Sequence, residues 1–217
     1  MSIFYIPEYN CVFNHIPKTA GRSIKLGFFK KRLNTQLEGG YINWPSRYRQ
    51  KWSFAFVRNP YDRFISAYNF TKKTLDHNYN ITEFLDIARD ETINHLYSDI
   101  TKPLEYIRHH TFPQTHIDHF LKETIFIGRY ENLEQDFNIV CNKIGAEYSR
   151  LPKYNVSKNI SKESFLQSIY YMFIKKPKIT YEKHYCNLIG TKNINKFNDY
   201  FREDFVQLNY KMIQVKT

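Results

Sequence analysis

Cysteine is scarce: three residues in a chain of 217, Cys11, Cys141 and Cys186, odd in number and far apart. That excludes a disulfide framework and a Cys-x-x-Cys metal knuckle, and makes a reducing compartment the simpler setting. Glycine (7) and proline (8) are too few for a collagen-like or linker-like chain. No run approaches the roughly 18 apolar residues of a membrane-spanning helix. Met1 to Asn10 lacks the basic and apolar regions of a signal peptide. The expectation is therefore a cytoplasmic protein with no integral membrane segment. The four Asn-x-Ser/Thr triplets, at Asn69, Asn80, Asn155 and Asn159, are then products of an Asn-rich composition. Repeats, low-complexity blocks and nucleic-acid-binding motifs are missing too. Acidic side chains are in deficit, 21 against 32 basic ones, which gives a net charge of +11. That balance suits an anionic partner: nucleic acid, an anionic membrane, a polyanionic glycan or a phosphate-rich cofactor.

Apolar material is plentiful, at 42 % hydrophobic and 18 % aromatic residues. One domain over residues 1–217 accounts for the length, with the basic, aromatic-rich stretch 165–193 reading as an insertion. Strands are expected over 9–14, 52–57 and 124–128. A helix is expected from Ser23, with Ile24, Phe28 and Leu33 on one face. A second starts at Pro60, capped by Asn59, with a stripe of Tyr61, Phe64, Ile65 and Tyr68. A third, capped by Thr82, carries Phe84, Leu85, Ala88 and Leu96. A fourth carries Leu133, Phe137, Cys141 and Ile144 and stops at Gly145. A last one runs from Ile194 to Leu208. Residues 101–119 read as His-rich and irregular, and 149–163 as an exposed basic loop. Alternating strands and helices predict an α/β fold, three layers with a central, mainly parallel sheet.

Two segments carry chemistry. The first runs from a strand through Pro17-Lys18-Thr19-Ala20-Gly21-Arg22-Ser23 into a helix. A turn feeding a helix N-terminus gathers free backbone N–H groups and partial positive charge. Gly21 permits close approach, Thr19 and Ser23 offer hydroxyls, and Lys18 brings a mobile charge, so the segment reads as a P-loop-like anion cradle. The Walker pattern GxxxxGK[ST] is not there, because Lys18 precedes the glycine. The bland alternative is an ordinary strand-to-helix turn with a capping serine. The second segment is Phe56 to Tyr68. Arg58 ends a parallel strand, where α/β folds bind ligands, and Ser66 follows two helical turns later. An Arg fork with a hydroxyl suits a second phosphate. The bland alternative is an Arg paired with a carboxylate and a solvent-facing Ser.

His15-Ile-Pro-Lys-Thr-Ala-Gly-Arg-Ser resembles the 5′-phosphosulfate loop of the sulfotransferases. Val57-Arg58-Asn59-Pro60-Tyr61-Asp62-Arg63 with Ser66-Ala67-Tyr68 resembles their 3′-phosphate segment. The likeness is nearest to the type II branch, the carbohydrate (Golgi-type) sulfotransferases and their bacterial relatives. Weaker echoes follow in family order: Phe112-Pro113-Gln114, Gly128 to Leu133, Leu151-Pro152 with Asn155 and Ser157, and Tyr200-Phe201-x-x-Asp204-Phe205. The resemblance implies the donor 3′-phosphoadenosine 5′-phosphosulfate (PAPS), the product adenosine 3′,5′-bisphosphate (PAP), and no metal. It implies that Pro17, Lys18, Thr19, Ala20, Gly21, Arg22 and Ser23 surround the phosphosulfate. It implies that Arg58 and Ser66 hold the 3′-phosphate, and that residues 165–193 form a family-divergent insertion.

Sulfuryl transfer by in-line displacement needs positive charge at the departing oxygen, assigned to Lys18 and the loop amides, and a base for the acceptor proton. Between Ile24 and Val57 there is no histidine, and the one carboxylate is Glu38. Glu38 is the first candidate base, with a solvated loop glutamate as the competing reading. His110, in the group His109, His110, His116 and His119, is the second. His116, Asp118 and His119 could be read as a metal site, but no third ligand stands at helical spacing, so none is assigned. His15 is expected to orient the loop. Lys153, Lys158 and Lys162 are expected near donor or acceptor. The sequence therefore predicts a PAPS-dependent sulfotransferase acting on a hydroxyl of a saccharide or other acceptor, without nucleic acid and with no readable oligomeric state. The alternatives are a nucleotide-dependent phosphotransferase of kinase type and a non-catalytic polyanion-binding protein.

Overall fold

The apolar runs at 11–15 and 52–57 have too many buried side chains for an edge strand, and they become the centre of the sheet. In the computed structural model, which describes residues 2–30, 38–41, 43–96, 98–152 and 180–215, five strands form one sheet. They are β1 (Ser2–Ile6), β2 (Cys11–His15), β3 (Glu38–Tyr41), β4 (Trp52–Val57) and β5 (Phe126–Arg129), in the order β3-β1-β2-β4-β5. β2, β4 and β5 run parallel, with Phe13 opposite Phe54 and Phe54 opposite Phe126. β1 and β3 extend this parallel core as antiparallel strands. The sequence did not announce either. β1 is only five residues long, and β3 is built around Gly39 and Gly40.

Strand alternation sorts the side chains onto two faces. Cys11, Phe13, Phe54 and Phe56 face α1 (Ser23–Phe29) and pack on its Ile24, Phe28 and Phe29. Further along that face they meet Phe137, Val140 and Cys141 of the helix Leu133–Ile144. On the other face Asn14 donates to the His119 carbonyl (2.6 Å) and to Thr124 Oγ1 (3.0 Å). Ser53 Oγ accepts from the Ile125 N–H at 3.1 Å. Those polar strand residues fasten the short 3-10 turns Ile117–His119 and Leu121–Glu123 across the sheet. Ile16, Ala55, Val57 and Leu208 fill the space beside them.

The remaining helices are α2 (Pro60–Leu75), α3 (Ile81–Arg89), α4 (Pro103–Thr111), α5 (Leu133–Ile144), α6 (Tyr181–Ile189), α7 (Thr191–Tyr200) and α8 (Arg202–Gln207). All but α5 share a core of their own around Tyr61, Phe64, Phe84, Ile107, Tyr185, Phe197 and Phe205, to which no strand contributes. The α/β class is as expected. The layer opposite α1 and α5, however, is this helical body, joined to the sheet through turns.

Several local expectations are corrected. α3 is capped by Asn80, whose Oδ1 accepts from the N–H groups of Thr82 and Glu83 while Glu83 returns a bond to the Asn80 N–H. That reciprocal pair outcompetes the single hydroxyl of Thr82, and Leu96 falls beyond the helix end. Residues 103–111, read as irregular, form α4, started by Pro103 at its first position. The single C-terminal helix is two, α7 and α8, parted at Phe201. α2 begins as expected, with Asn59 Oδ1 accepting from the Tyr61 N–H at 3.0 Å, and α5 stops at Gly145 with φ +72°. Leu33, Lys153, Asn155, Ser157, Lys158, Lys162 and the stretch 165–179 lie outside the described residues. Residues 180–193 belong to α6 and the start of α7, and Tyr181 and Tyr185 pack on the Tyr61 ring of α2.

Candidate active site

Past His15 the chain turns sharply, and two non-glycine residues in this turn are left-handed: Lys18 (φ 71°) and Ala20 (φ 73°). Each costs on the order of 1 kcal/mol or more, so the surroundings must enforce them. Thr19, fully buried, donates its hydroxyl to the Ile16 carbonyl at 2.8 Å. Its side chain shapes the loop, and the hydroxyl proton expected for an anion is committed there. The Pro17 carbonyl accepts from Arg63 Nε at 3.2 Å. Gly21 has a specific reason: a Cβ there would lie 1.9 Å from His15 Cδ2 and 2.0 Å from Nε2. The imidazole occupies that space, so His15 orients the loop by packing on its backbone. Burial, with the Lys25 ammonium second, holds His15 well below its ordinary pKa. The helix follows at once. The Ile24 N–H donates to the Ala20 carbonyl at 3.2 Å, then α1 widens to i→i+5 spacing at Lys25 and Lys30. A regular phosphate-loop helix is therefore not what the loop feeds. Ser23 is buried in the first turn, and Arg22 is exposed.

Arg58, at the end of β4, reaches this loop: its Nη1 lies 3.5 Å from the Lys18 carbonyl oxygen. The two sequence motifs thus meet in space. α2 forms the wall, because Arg63, Ser66 and Phe70 recur at i, i+3 and i+7 on one face. Phe70 lies under the Lys18 ammonium, 3.6 Å from nitrogen to ring centroid. Burial, with Arg58 and Arg63 adding repulsion, depresses the Lys18 pKa from 10.5 to about 7. Arg63 is almost fully buried and is spent on carbonyls: those of Pro17, Thr111 (3.4 Å) and Phe112 (2.7 Å). Its pKa is lowered to about 10, again by burial first, so it stays charged at neutral pH. Arg58 stacks on the Tyr130 ring at 4.1 Å, and its buried Nε has no hydrogen-bond partner among the described residues. Two cations crowd a third here, and a buried guanidinium N–H is unspent. Positive charge crowded in this way favours an anionic ligand.

The family-model comparison gives the chain its place: the model described as sulfotransferase family matches residues 1–211. The chain belongs to the sulfotransferase family. No curated protein and no solved structure matches it significantly.

In this sulfotransferase three of the weaker sequence echoes, those holding Gln114, Tyr130 with Glu131, and Asp204, meet around Arg58. Gln114 clamps the Arg58 peptide from both sides, accepting its N–H at Oε1 (2.8 Å) and donating from Nε2 to its carbonyl (2.8 Å). Asp204, fully buried, holds Gln114 and Thr115 in turn, accepting from both backbone N–H groups and from Thr115 Oγ1. Glu131 accepts from the Asn59 N–H (2.7 Å) and from Tyr210 Oη (2.9 Å). Arg63, Gln114, Tyr130, Glu131 and Asp204 were not assigned as site residues from sequence. Their signal was the order of the echoes, which gives no hint of convergence.

The two candidate bases separate. His110, nine per cent exposed, bonds through Nδ1 to the Tyr106 carbonyl at 2.8 Å, so that nitrogen is the donor and Nε2 keeps the lone pair. Its ring is 5.1 Å from Phe70, the same ring that carries Lys18. Burial first, then His109 and Lys18, hold it neutral well below its ordinary pKa. Glu38 sits on β3 opposite Tyr5, which pairs with Val12. That register puts it two strands, about 10 Å, to the side of β2 and about 10 Å short of the strand end that feeds the loop. Its carboxylate is taken by Tyr48 Oη at 2.5 Å. The structure therefore does not bring Glu38 to Lys18. The setting of Glu38 is a short glycine-containing strand and not a solvated loop.

Of the other histidines, His109 bonds to the His95 carbonyl, and His119 stacks on Phe112 with Nδ1 on the Pro113 and Gln114 carbonyls. No helix among the described residues is long and apolar enough to cross a membrane.

Proposed function

We propose that this sulfotransferase uses PAPS as donor and transfers its sulfuryl group to a hydroxyl, most simply one on a saccharide. The observation that carries the reading is the approach of Arg58 to the Lys18 backbone. It brings two anion-seeking segments side by side, as binding one nucleotide with two phosphate-bearing positions requires. Bound there, the donor would supply an activated sulfuryl group and a phosphate leaving oxygen.

The chain's own residues supply the rest. The left-handed turn at Lys18 and Ala20, with the first N–H groups of α1, forms the concavity for the 5′ end. The Lys18 ammonium places positive charge at the departing oxygen. Arg58, oriented by Gln114 and Tyr130, and Ser66 receive the 3′-phosphate. Phe70 and the surrounding apolar wall keep water out and strengthen each of these charges. His110 accepts the acceptor proton at Nε2 as the hydroxyl attacks. Pro17, Thr19 and Gly21 act by fixing the loop, and Arg22 stands at its solvent edge.

The test is titration calorimetry of the purified protein with PAP, ATP and ADP, with and without Mg²⁺. PAP should bind without metal, and Arg58→Ala should weaken it by about 1.5–3 kcal/mol, the worth of a charge-assisted bond. Mg²⁺-dependent ATP binding in place of PAP binding would overturn the reading in favour of a phosphotransferase.

A further inference from the structure

Outside the cleft, the loop after α3 and the turn after α4 bring together His95, His116 and Asp118. Asp118 Oδ2 is 2.7 Å from His95 Nε2 and 3.4 Å from His116 Nδ1, and the three donor atoms all lie within 4.8 Å of one another. The sequence reading paired His116 with His119. The turn instead sends His119 into the core and leaves His116 facing a residue from another loop, 23 positions before Asp118.

We propose that His95 Nε2, His116 Nδ1 and Asp118 form a site for one divalent transition-metal ion of the zinc class. Two imidazoles and one carboxylate are the donor set that borderline cations take, at bonds of about 2.0–2.2 Å. Donors on such an ion stand about 3.3 Å apart, so the two measured separations already bracket what is needed. The rings are seated before any ion arrives. His95 packs 4.4 Å from the Phe112 ring and 4.8 Å from the His116 ring. The His95 carbonyl bonds to His109 Nδ1 at 2.8 Å, and the His116 N–H to the Pro113 carbonyl at 3.2 Å. The Asp118 N–H donates to His116 Nδ1 at 3.3 Å, so that nitrogen is unprotonated, and an arriving ion takes its lone pair by displacing this long bond. All three ligands are half-buried, so an ion can reach them and a water can complete its shell.

The ion is a staple, apart from sulfuryl transfer. It ties the loop after α3 to the segment 112–119. Phe112 lies between this site and Arg63, which donates to its carbonyl, and Gln114 of the same segment clamps Arg58. The site therefore braces the segment that holds the nucleotide corner without touching the donor.

Full-length protein, stripped with chelator, would be titrated calorimetrically with ZnCl₂ alone, and its melting temperature read with and without the ion. The Co²⁺ derivative would be followed by visible absorption. One ion per chain, a raised melting temperature and ligand-field bands of low coordination number are expected. His95→Gln and His116→Gln should each raise the Kd at least about tenfold, and Asp118→Asn, which keeps an acceptor in place, should do the same. His184→Gln, an exposed histidine on α6, should change nothing. PAP titration of each variant reports whether it has folded. No binding at sub-millimolar Zn²⁺, or equal affinity in a folded His95→Gln, His116→Gln double variant, would overturn the site and leave a hydrogen-bonded triad only.

Discussion

Lys18 sits with two guanidinium groups near it and an aromatic ring beneath it, and its depressed pKa is the electrostatic signature of that arrangement. An arriving dianion favours the ammonium and restores the proton. Affinity for PAP should therefore be greatest below about pH 7 and decline as pH rises through that value, by at most about tenfold per unit for one linked proton. Calorimetry across pH 6 to 9 reads the slope (roughly the span over which this one group changes charge), and Lys18→Met should flatten it. The donor-free protein carries the opposite trend. The folded pKa is near 7 and the unfolded one near 10.5. In that window the unfolded chain holds more protons, so stability from this group rises with pH. Lys18→Ala should lower turnover by about 10²–10³-fold while weakening PAP far less, the pattern of a group that acts on the departing oxygen. His110→Gln should leave PAP affinity intact and lower kcat by about 10²-fold or more. A variant with unchanged kcat would remove His110 from proton transfer.

Among the elements, those with strong periodicity were legible from sequence: β4 to the residue, α2 with its Asn-Pro start, α5 with its glycine stop. The link at 17–22 was legible as a tight turn from a strand into a helix, though not the left-handed residues that shape it. What sequence hid was register. β3 contains two glycines in four residues and gives no alternation to read, so Glu38 looked like a loop residue near the cleft. α4 was hidden by its histidines, which are weak helix formers individually but here occupy a buried face. The tight partnership of Gly21 and His15 could not be inferred from spacing, and it yields a test at this scale. Gly21→Ala should cost about 1–3 kcal/mol by forcing the ring aside, and most of that cost should vanish in a His15→Ala background. Denaturant unfolding of the four proteins in the cycle measures it. Additive costs would show that the clash is relieved elsewhere.

Across the whole molecule, the proposed nucleotide corner is assembled from four distant stretches of chain: Lys18, Arg58, Gln114 and Asp204. Asp204 is the keystone. It is fully buried and receives both backbone N–H groups of Gln114 and Thr115, 90 and 89 residues before it. Asp204→Asn puts an amide where donors converge on both carboxylate oxygens, leaving at least one N–H opposed. It should destabilise the fold by about 1–3 kcal/mol and weaken PAP through the loosened Arg58 peptide. Retained stability with retained affinity would detach Asp204 from the corner. The net charge of +11 makes encounter with an anionic acceptor salt-dependent even where the acceptor itself is uncharged at its reacting hydroxyl.

That keystone arrives late. During synthesis the loop, β4 and Gln114 emerge long before residue 204 leaves the ribosome, so the Gln114 clamp on the Arg58 peptide lacks its own support until α8 is delivered. Nascent chains stalled ahead of α8 should fail to be retained on immobilised PAP, while chains released just past residue 215 are retained.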